Sequence, residues 1–217
     1  MKNNRILKSF VSIIIFFSIN FGLWEIMVRN NISKEWASFL VYLILFIVMI
    51  LIWKKELIRE YKRLKEEKVS FKKMIFEMII ILLITSILGT GLLYLVTGNL
   101  ATENTENVSE MVSTIPPILT CIMMSFFTPI IEELVFRESI VGLSKIKSSK
   151  IILIILSIIS IIVFDSIHLY KWQEFFYYLP ISIGLTFFYI RNNKNIWSSI
   201  FMHGLANLPG AILMILS

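Results

Sequence analysis

The chain has 217 residues, of which 57% are hydrophobic, and it carries a formal net charge of +6 at pH 7. A soluble domain has about 45–50% apolar residues, so the excess, spread along the whole chain, excludes an ordinary soluble globular protein. It predicts a single integral membrane domain over residues 1–217, with the lipid bilayer rather than nucleic acid as the partner of the positive charge. The one cysteine, Cys121, allows no disulfide within the chain.

Seven stretches are long and apolar enough to be transmembrane helices, each of which needs roughly 20 predominantly apolar residues. In chain order they are residues 6–28, 36–53, 74–96, 115–137, 150–169, 175–190 and 196–216. The pattern predicts an all-α polytopic membrane protein with about seven transmembrane helices.

The basic residues indicate how these helices are oriented. If the N-terminus is cytoplasmic, 18 of the 21 Lys and Arg residues fall in cytoplasmic segments or at the cytoplasmic ends of helices. The longest outer loop, residues 97–114, has three glutamates and no basic residue. The positive-inside rule therefore favours a cytoplasmic N-terminus and an outer C-terminus. The charged segment 54–73 is interpreted as a solvated cytoplasmic helix.

Ionisable residues inside membrane helices are costly and usually functional. Three of the predicted helices stand out, because they hold two adjacent glutamates and both histidines of the chain. Each of these helices has a pair of residues four apart: Glu133–Arg137, Phe164–His168 and His203–Asn207. Because residues four apart share one face of a helix, we expect the three helices to present these pairs to a common interior.

The first pair suggests that two adjacent glutamates have different roles. Glu133 lies one turn before Arg137, so an ion pair can lower the cost of burying both. Glu132 points about 100° away around the helix and is expected to face a cavity as a general base. His168 is expected to share its water, while His203 and Asn207 donate to a developing oxyanion.

Two other interpretations use the same residues. Glu132, His168 and His203 offer three ligands and one open position, which is the pattern of a catalytic Zn²⁺ site. Buried Glu and His side chains also serve proton pathways in transporters, although the chain lacks the repeated halves that are common in transporters.

The ordered set Glu-Glu-x-x-x-Arg, Phe-x-x-x-His and His-x-x-x-Asn on three late helices resembles the CPBP family of intramembrane proteases, also called Abi. The resemblance covers about residues 115–216. It implies an intramembrane endopeptidase, generally named a metalloprotease, although a water activated by glutamate and histidine without a firmly placed metal is also described. The alternative within the same fold is a non-catalytic bacteriocin self-immunity or binding protein.

Further expectations concern the setting. Richness in Ile, Lys and Asn favours a bacterial plasma membrane, with a peptide precursor or membrane-associated protein as substrate; the oligomeric state is left open.

One conflict arises in the predicted depths of the site residues in the membrane. If Lys150 marks the cytoplasmic boundary, His168 lies roughly 27 Å above it at 1.5 Å per residue, whereas Glu132 and His203 lie nearer the cytoplasm.

Overall fold

The computed structural model describes residues 2–66, 71–104, 110–146 and 149–216. Over these residues the chain forms seven long helices, joined in places by short 3-10 turns. They are α1 (Lys2–Phe17, continuing through Ser18–Leu23 and Trp24–Arg29), α2 (Lys34–Glu66), α3 (Phe71–Thr97), α4 (Pro117–Glu138), α5 (Lys150–Ser166), α6 (Phe175–Arg191) and α7 (Ile196–Leu216). The all-α polytopic membrane fold is thus confirmed. Parts of the predicted outer loop and of the predicted cytoplasmic segments fall outside the described ranges.

The helices differ in length. Five of those described, α1 to α4 and α7, are long and apolar enough to cross a membrane. The other two, α5 and α6, have 17 residues each, which corresponds to about 25 Å. The turn between them carries the exposed residues Tyr170, Lys171 and Trp172. In contrast, α2 is longer than predicted, because the charged segment continues the same helix to Glu66.

Local sequence explains where several helices end. Pro116 is extended and Pro117 opens α4, where a missing backbone N–H is harmless. Gly98, with φ 75°, follows the end of α3 and donates its N–H to the Tyr94 carbonyl, as expected of a left-handed residue after a helix. The tight turn between α6 and α7 contains the left-handed residues Asn193 and Lys194.

The centre of the molecule is the C-terminal half of α4. Residues 129–142 are buried without interruption, and helices α1, α2, α5 and α7 all contact this segment. Two stretches of α4, Met123–Phe127 and Glu133–Glu138, are π-helical, and such bulges occur frequently at functional sites. The outward face of α5 is instead lined by exposed isoleucines, as expected for contact with lipid.

The position of α5 resolves the conflict in predicted depths. The Ser160 hydroxyl donates to the Phe136 carbonyl at 2.8 Å. Ten residues of α5 precede Ser160, so the helix begins about 15 Å before the level of Phe136. The 3-10 segment Val141–Lys145 contacts α5. The two helices are therefore staggered, and His168, in the turn after α5, lies 3.8 Å from Glu132.

A buried carboxylate at the end of α4 joins four parts of the chain. Glu138 is fully buried and accepts hydrogen bonds from Arg5 at 2.5 Å, Tyr189 at 2.6 Å and Lys145 at 2.8 Å. Arg5 also donates to the Gly142 carbonyl. Burial lowers the pKa of Lys145, against the opposing effect of Glu138. This cluster anchors the start of α1 on α4 and α6.

The charged end of α2 is not wholly solvated as predicted. Glu60 is only 2% exposed and pairs with Arg59 and Arg63 at 3.0 and 2.9 Å. Its backbone carbonyl accepts a hydrogen bond from the Asn195 side chain, and the Trp197 indole donates to the Leu57 carbonyl. This part of α2 therefore packs against the beginning of α7.

Candidate active site

Glu133 and Arg137 form a completely buried ion pair. The distance from Glu133 Oε1 to Arg137 Nη1 is 3.0 Å, and both side chains have no exposed surface. Arg137 also donates to the Ser182 carbonyl of α6 at 3.4 Å, and its guanidinium carbon lies 4.3 Å from the centre of the Phe164 ring. The arginine thus links α4 to α5 and α6.

The same glutamate orients His203 of α7. Glu133 Oε1 lies 2.9 Å from His203 Nδ1. Because a carboxylate only accepts hydrogen bonds, this contact assigns the proton of the neutral imidazole to Nδ1. The lone pair of Nε2 then faces Glu132, with Nε2 3.8 Å from Glu132 Oε2. A carboxylate behind a histidine holds its tautomer and stabilises its protonated form.

His168 is oriented by backbone and by two aromatic rings. Its Nδ1 lies 2.8 Å from the Phe164 carbonyl, which again assigns the proton to Nδ1 and the lone pair to Nε2. The Phe164 and Tyr178 rings lie on it with centroid distances of 4.7 and 5.0 Å. His168 Nε2 is 3.8 Å from Glu132 Oε2. Phe164 also contacts the His203 ring at 5.8 Å.

Glu132 stands between the two histidines. Its side chain is 1% exposed, and neither carboxylate oxygen has a hydrogen bond of good geometry among the described residues. The Tyr42 hydroxyl of α2 lies beside it without completing such a bond. One carboxylate and two imidazole lone pairs therefore converge, and together they can bind a group that offers protons, such as a water molecule.

Asn207 joins α7 to α4. Its side-chain amide donates to the Met124 carbonyl at 2.9 Å, within the first π-helical stretch of α4. Gly204 allows this close approach of α7, because a Cβ there would lie 3.0 Å from the Ser125 carbonyl oxygen. One amide N–H of Asn207 is therefore used to join α7 to α4, and the other is left for a different acceptor.

Glu132, His168 and His203 are also the three ligands of the predicted metal site. Over residues 2–66, 71–104, 110–146 and 149–216, no group of three or more His, Cys, Asp or Glu side chains is arranged to hold a metal ion. The two Nε2 atoms each lie 3.8 Å from Glu132, which is beyond direct hydrogen-bond distance, so a water bonded to both partners would lie beside the line that joins them.

The structure brings together Glu132, Glu133, Arg137, His168 and His203, with Asn207 at the adjoining junction of α4 and α7. Sequence reasoning missed Tyr42 and Tyr178, whose helices carry no motif.

Asp165 is fully buried near Arg137 and Ser182, and neither of its carboxylate oxygens has a hydrogen bond of good geometry to a described residue. It does not orient the His168 ring, whose Nδ1 contacts the Phe164 carbonyl instead.

Comparison with known proteins gives one match. Residues 114–209 match the family model described as type II CAAX prenyl endopeptidase, Rce1-like. This stretch begins just before α4, ends within α7, and contains all of the Glu, Arg, His and Asn residues of the site. No curated protein and no solved structure matches the chain. The buried Glu and His network is consistent with a catalytic site of this family.

Proposed function

Residues 114–209 form a domain of the Rce1-like type II CAAX prenyl endopeptidase family, a family of proteases, and from this premise we propose that the chain is an intramembrane endopeptidase. It hydrolyses a peptide bond of a peptide or membrane-associated protein. The observation that carries the proposal is the convergence of the Glu132 carboxylate and the Nε2 atoms of His168 and His203, each 3.8 Å from Glu132 Oε2.

The reaction begins with a water held by Glu132 and His168 Nε2. Glu132 takes a proton from this water, and the oxygen attacks the carbonyl carbon of the scissile bond. The carbonyl π electrons move to its oxygen, which becomes the oxyanion. When the intermediate collapses, the carbon–nitrogen bond breaks and the leaving amine takes the proton from Glu132. Glu132 is thus general base and then general acid.

His203 and Asn207 support the charged intermediate. The Glu133 carboxylate holds His203 through Nδ1, and once Nε2 has taken up a proton from solvent, Nε2–H can donate to the oxyanion. The second amide N–H of Asn207 is the other donor. Arg137 keeps Glu133 in place, since a buried carboxylate needs a partner. The proposed steps use these side chains and water, and none of them requires a metal.

The proposed setting is a bacterial plasma membrane with a cytoplasmic N-terminus, as the distribution of basic residues favours. A peptide precursor or membrane-associated protein is the proposed substrate there. The family's name specifies a different substrate, a prenylated C-terminal peptide, and cleavage of the two kinds of substrate is to be compared. A bacteriocin self-immunity or binding protein of the same fold would need the helices but not the base.

The test is cleavage by purified protein in detergent. We expect Glu132→Gln and His168→Ala each to lower kcat by at least about 10³-fold while the proteins still accumulate in membranes. Glu77→Gln is the matched control, because Glu77 pairs with Arg191 at the protein surface, away from the site. The substrates are quenched hydrophobic peptides and one prenylated C-terminal peptide, with metal content measured on the same samples.

The outcomes separate the alternatives. Cleavage that survives Glu132→Gln contradicts the proposed base. Cleavage that depends on Glu132 and on a stoichiometric bound metal replaces the metal-free route by the metalloprotease hypothesis. Protection against a bacteriocin that survives Glu132→Gln, without peptide cleavage, favours the self-immunity protein.

A further inference from the structure

The ring of Tyr178 is part of the environment of His168. Tyr178 lies on the first turn of α6, is 8% exposed, and packs on the imidazole with a centroid distance of 5.0 Å and an interplanar angle of 33°. Phe164 also packs on the imidazole, at 4.7 Å and 40°. His168 itself lies in the turn after α5, where no helical backbone continues to hold it. The two rings therefore define the direction of its Nε2.

The hydroxyl of Tyr178 is tied to the outer segment that follows α3. It lies 3.0 Å from the Thr102 hydroxyl and accepts a hydrogen bond from the Asn104 amide at 3.1 Å. Thr102 is 1% exposed, so these bonds are shielded from water. They fix the position of the ring from the end opposite to α6.

A buried carboxylate fastens the same outer segment to the turn that carries His168. Glu174 is 3% exposed. Its Oε1 accepts the backbone N–H of Glu103 at 2.6 Å, and its Oε2 accepts the backbone N–H of Tyr170 at 2.9 Å and of Lys171 at 3.4 Å. Lys171 also pairs with Glu103. The outer segment and the His168 turn are thus joined by bonds to backbone as well as to side chains.

We propose that Tyr178 is a positioning residue of the proposed endopeptidase: its ring holds His168 with Nε2 toward Glu132, and residues 102–104 hold the ring. The inference rests on the proposed function and adds a residue that carries none of the family motifs. An aromatic pair contributes enough free energy to change the occupancy of one ring orientation by roughly tenfold. We therefore expect removal of the ring to lower kcat and to leave substrate binding unchanged.

The experiment compares Tyr178→Leu and Tyr178→Phe with wild type in detergent. For Tyr178→Leu we expect kcat to fall about tenfold with KM changed less than about twofold. Tyr178→Phe keeps the ring and loses the hydroxyl bonds, so it restores most of the rate. Phe176→Leu is the control, since Phe176 lies on the same helix and packs on Trp172 and Phe175 rather than on His168.

A second measurement reports on His168 directly. The chain has two histidines, so modification by diethyl pyrocarbonate can be followed at each by mass spectrometry, with the buried His203 as internal reference. We expect His168 to react several times faster in Tyr178→Leu and at the wild-type rate in Phe176→Leu. If Tyr178→Leu does not fold, the double variant Thr102→Val with Asn104→Leu replaces it, and faster modification of His168 is again expected.

The results distinguish two failures. If Glu132→Gln abolishes cleavage but Tyr178→Leu keeps the wild-type kcat and His168 reactivity, the positioning role is refuted and the proposed function stands. If Glu132→Gln retains cleavage, the base role proposed for Glu132 is refuted, and with it the need for His168 to face that residue. In a third outcome, kcat and the melting temperature of Tyr178→Leu both fall while the reactivity of His168 stays at the wild-type value. This outcome assigns Tyr178 to general stability and overturns the inference.

Discussion

Glu133 is expected to contribute separately to stability and to catalysis, and one set of variants can separate the two. It pairs with Arg137 at 3.0 Å where neither side chain is exposed. Glu133→Gln leaves a guanidinium buried without its counter-charge, and breaking a buried pair in this way costs about 3–5 kcal/mol. For a chain of this size, that lowers Tm by roughly 6–20 °C. Arg137→Met should cost a similar amount, because it leaves the Glu133 carboxylate buried without its permanently charged partner.

The double variant Glu133→Leu with Arg137→Met removes both charges and fills the space with apolar groups. Since such replacements are often neutral or stabilising, we expect it to regain most of the lost Tm. It should remain inactive, because His203 Nδ1 has lost the acceptor 2.9 Å away. Losing the carboxylate behind a catalytic histidine can lower kcat by about 10⁴-fold.

The assay is thermal unfolding in detergent, measured with peptide cleavage on the same preparations. A Tm change below about 2 °C in both single variants would refute the buried ion pair. A double variant that is stable and active would refute the role assigned to Glu133 in orienting His203.

Two further predictions concern packing outside the site. Arg5→Ala removes one hydrogen-bond donor from the buried Glu138 and should lower the free energy of unfolding by about 1–3 kcal/mol. Arg5→Lys should recover part of this loss. An unchanged Tm in Arg5→Ala would contradict the anchoring of α1. Gly89→Ala would place a Cβ 2.5 Å from the Tyr177 carbonyl oxygen and should cost about 1–3 kcal/mol through separation of α3 from α6, measured as a lower Tm. Gly91→Ala is its control, because a Cβ at Gly91 meets no atom within 4 Å. We expect it to gain up to about 1 kcal/mol of stability from helix propensity. Equal Tm changes in the two variants would refute the close contact at Gly89.

The helices could be predicted because the bilayer imposes long apolar runs, and those runs are visible in the sequence. The π-helical stretches of α4 could not, because an extra residue in one turn leaves the apolar pattern nearly unchanged. The conflict in predicted depths arose for a related reason. A basic residue before an apolar run indicates a membrane boundary, but it does not reveal how neighbouring helices are staggered.

The motif residues could be selected because charged groups stand out against an apolar background. Their partners could not all be inferred: spacing predicted the Glu133–Arg137 pair, whereas the bond from Glu133 to His203 joins residues 70 apart. Tyr42 and Tyr178 were missed because aromatic residues are common at helical spacing in a membrane protein. The burial of Glu60 was missed because alternating charges usually indicate a solvated helix, and only the packing of α7 reveals the exception.

The shortness of α5 and α6 has a consequence for the surrounding lipid. The two helices are in contact and each is about 25 Å long, against a hydrocarbon core of about 30 Å. A hydrophobic mismatch of this kind is met by thinning of the bilayer, by snorkelling of flanking side chains or by oligomerisation. The exposed residues Tyr170, Lys171 and Trp172 lie in the turn between the two short helices, and the same turn carries His168. We therefore expect the thickness of the surrounding bilayer to change the rate of the proposed cleavage.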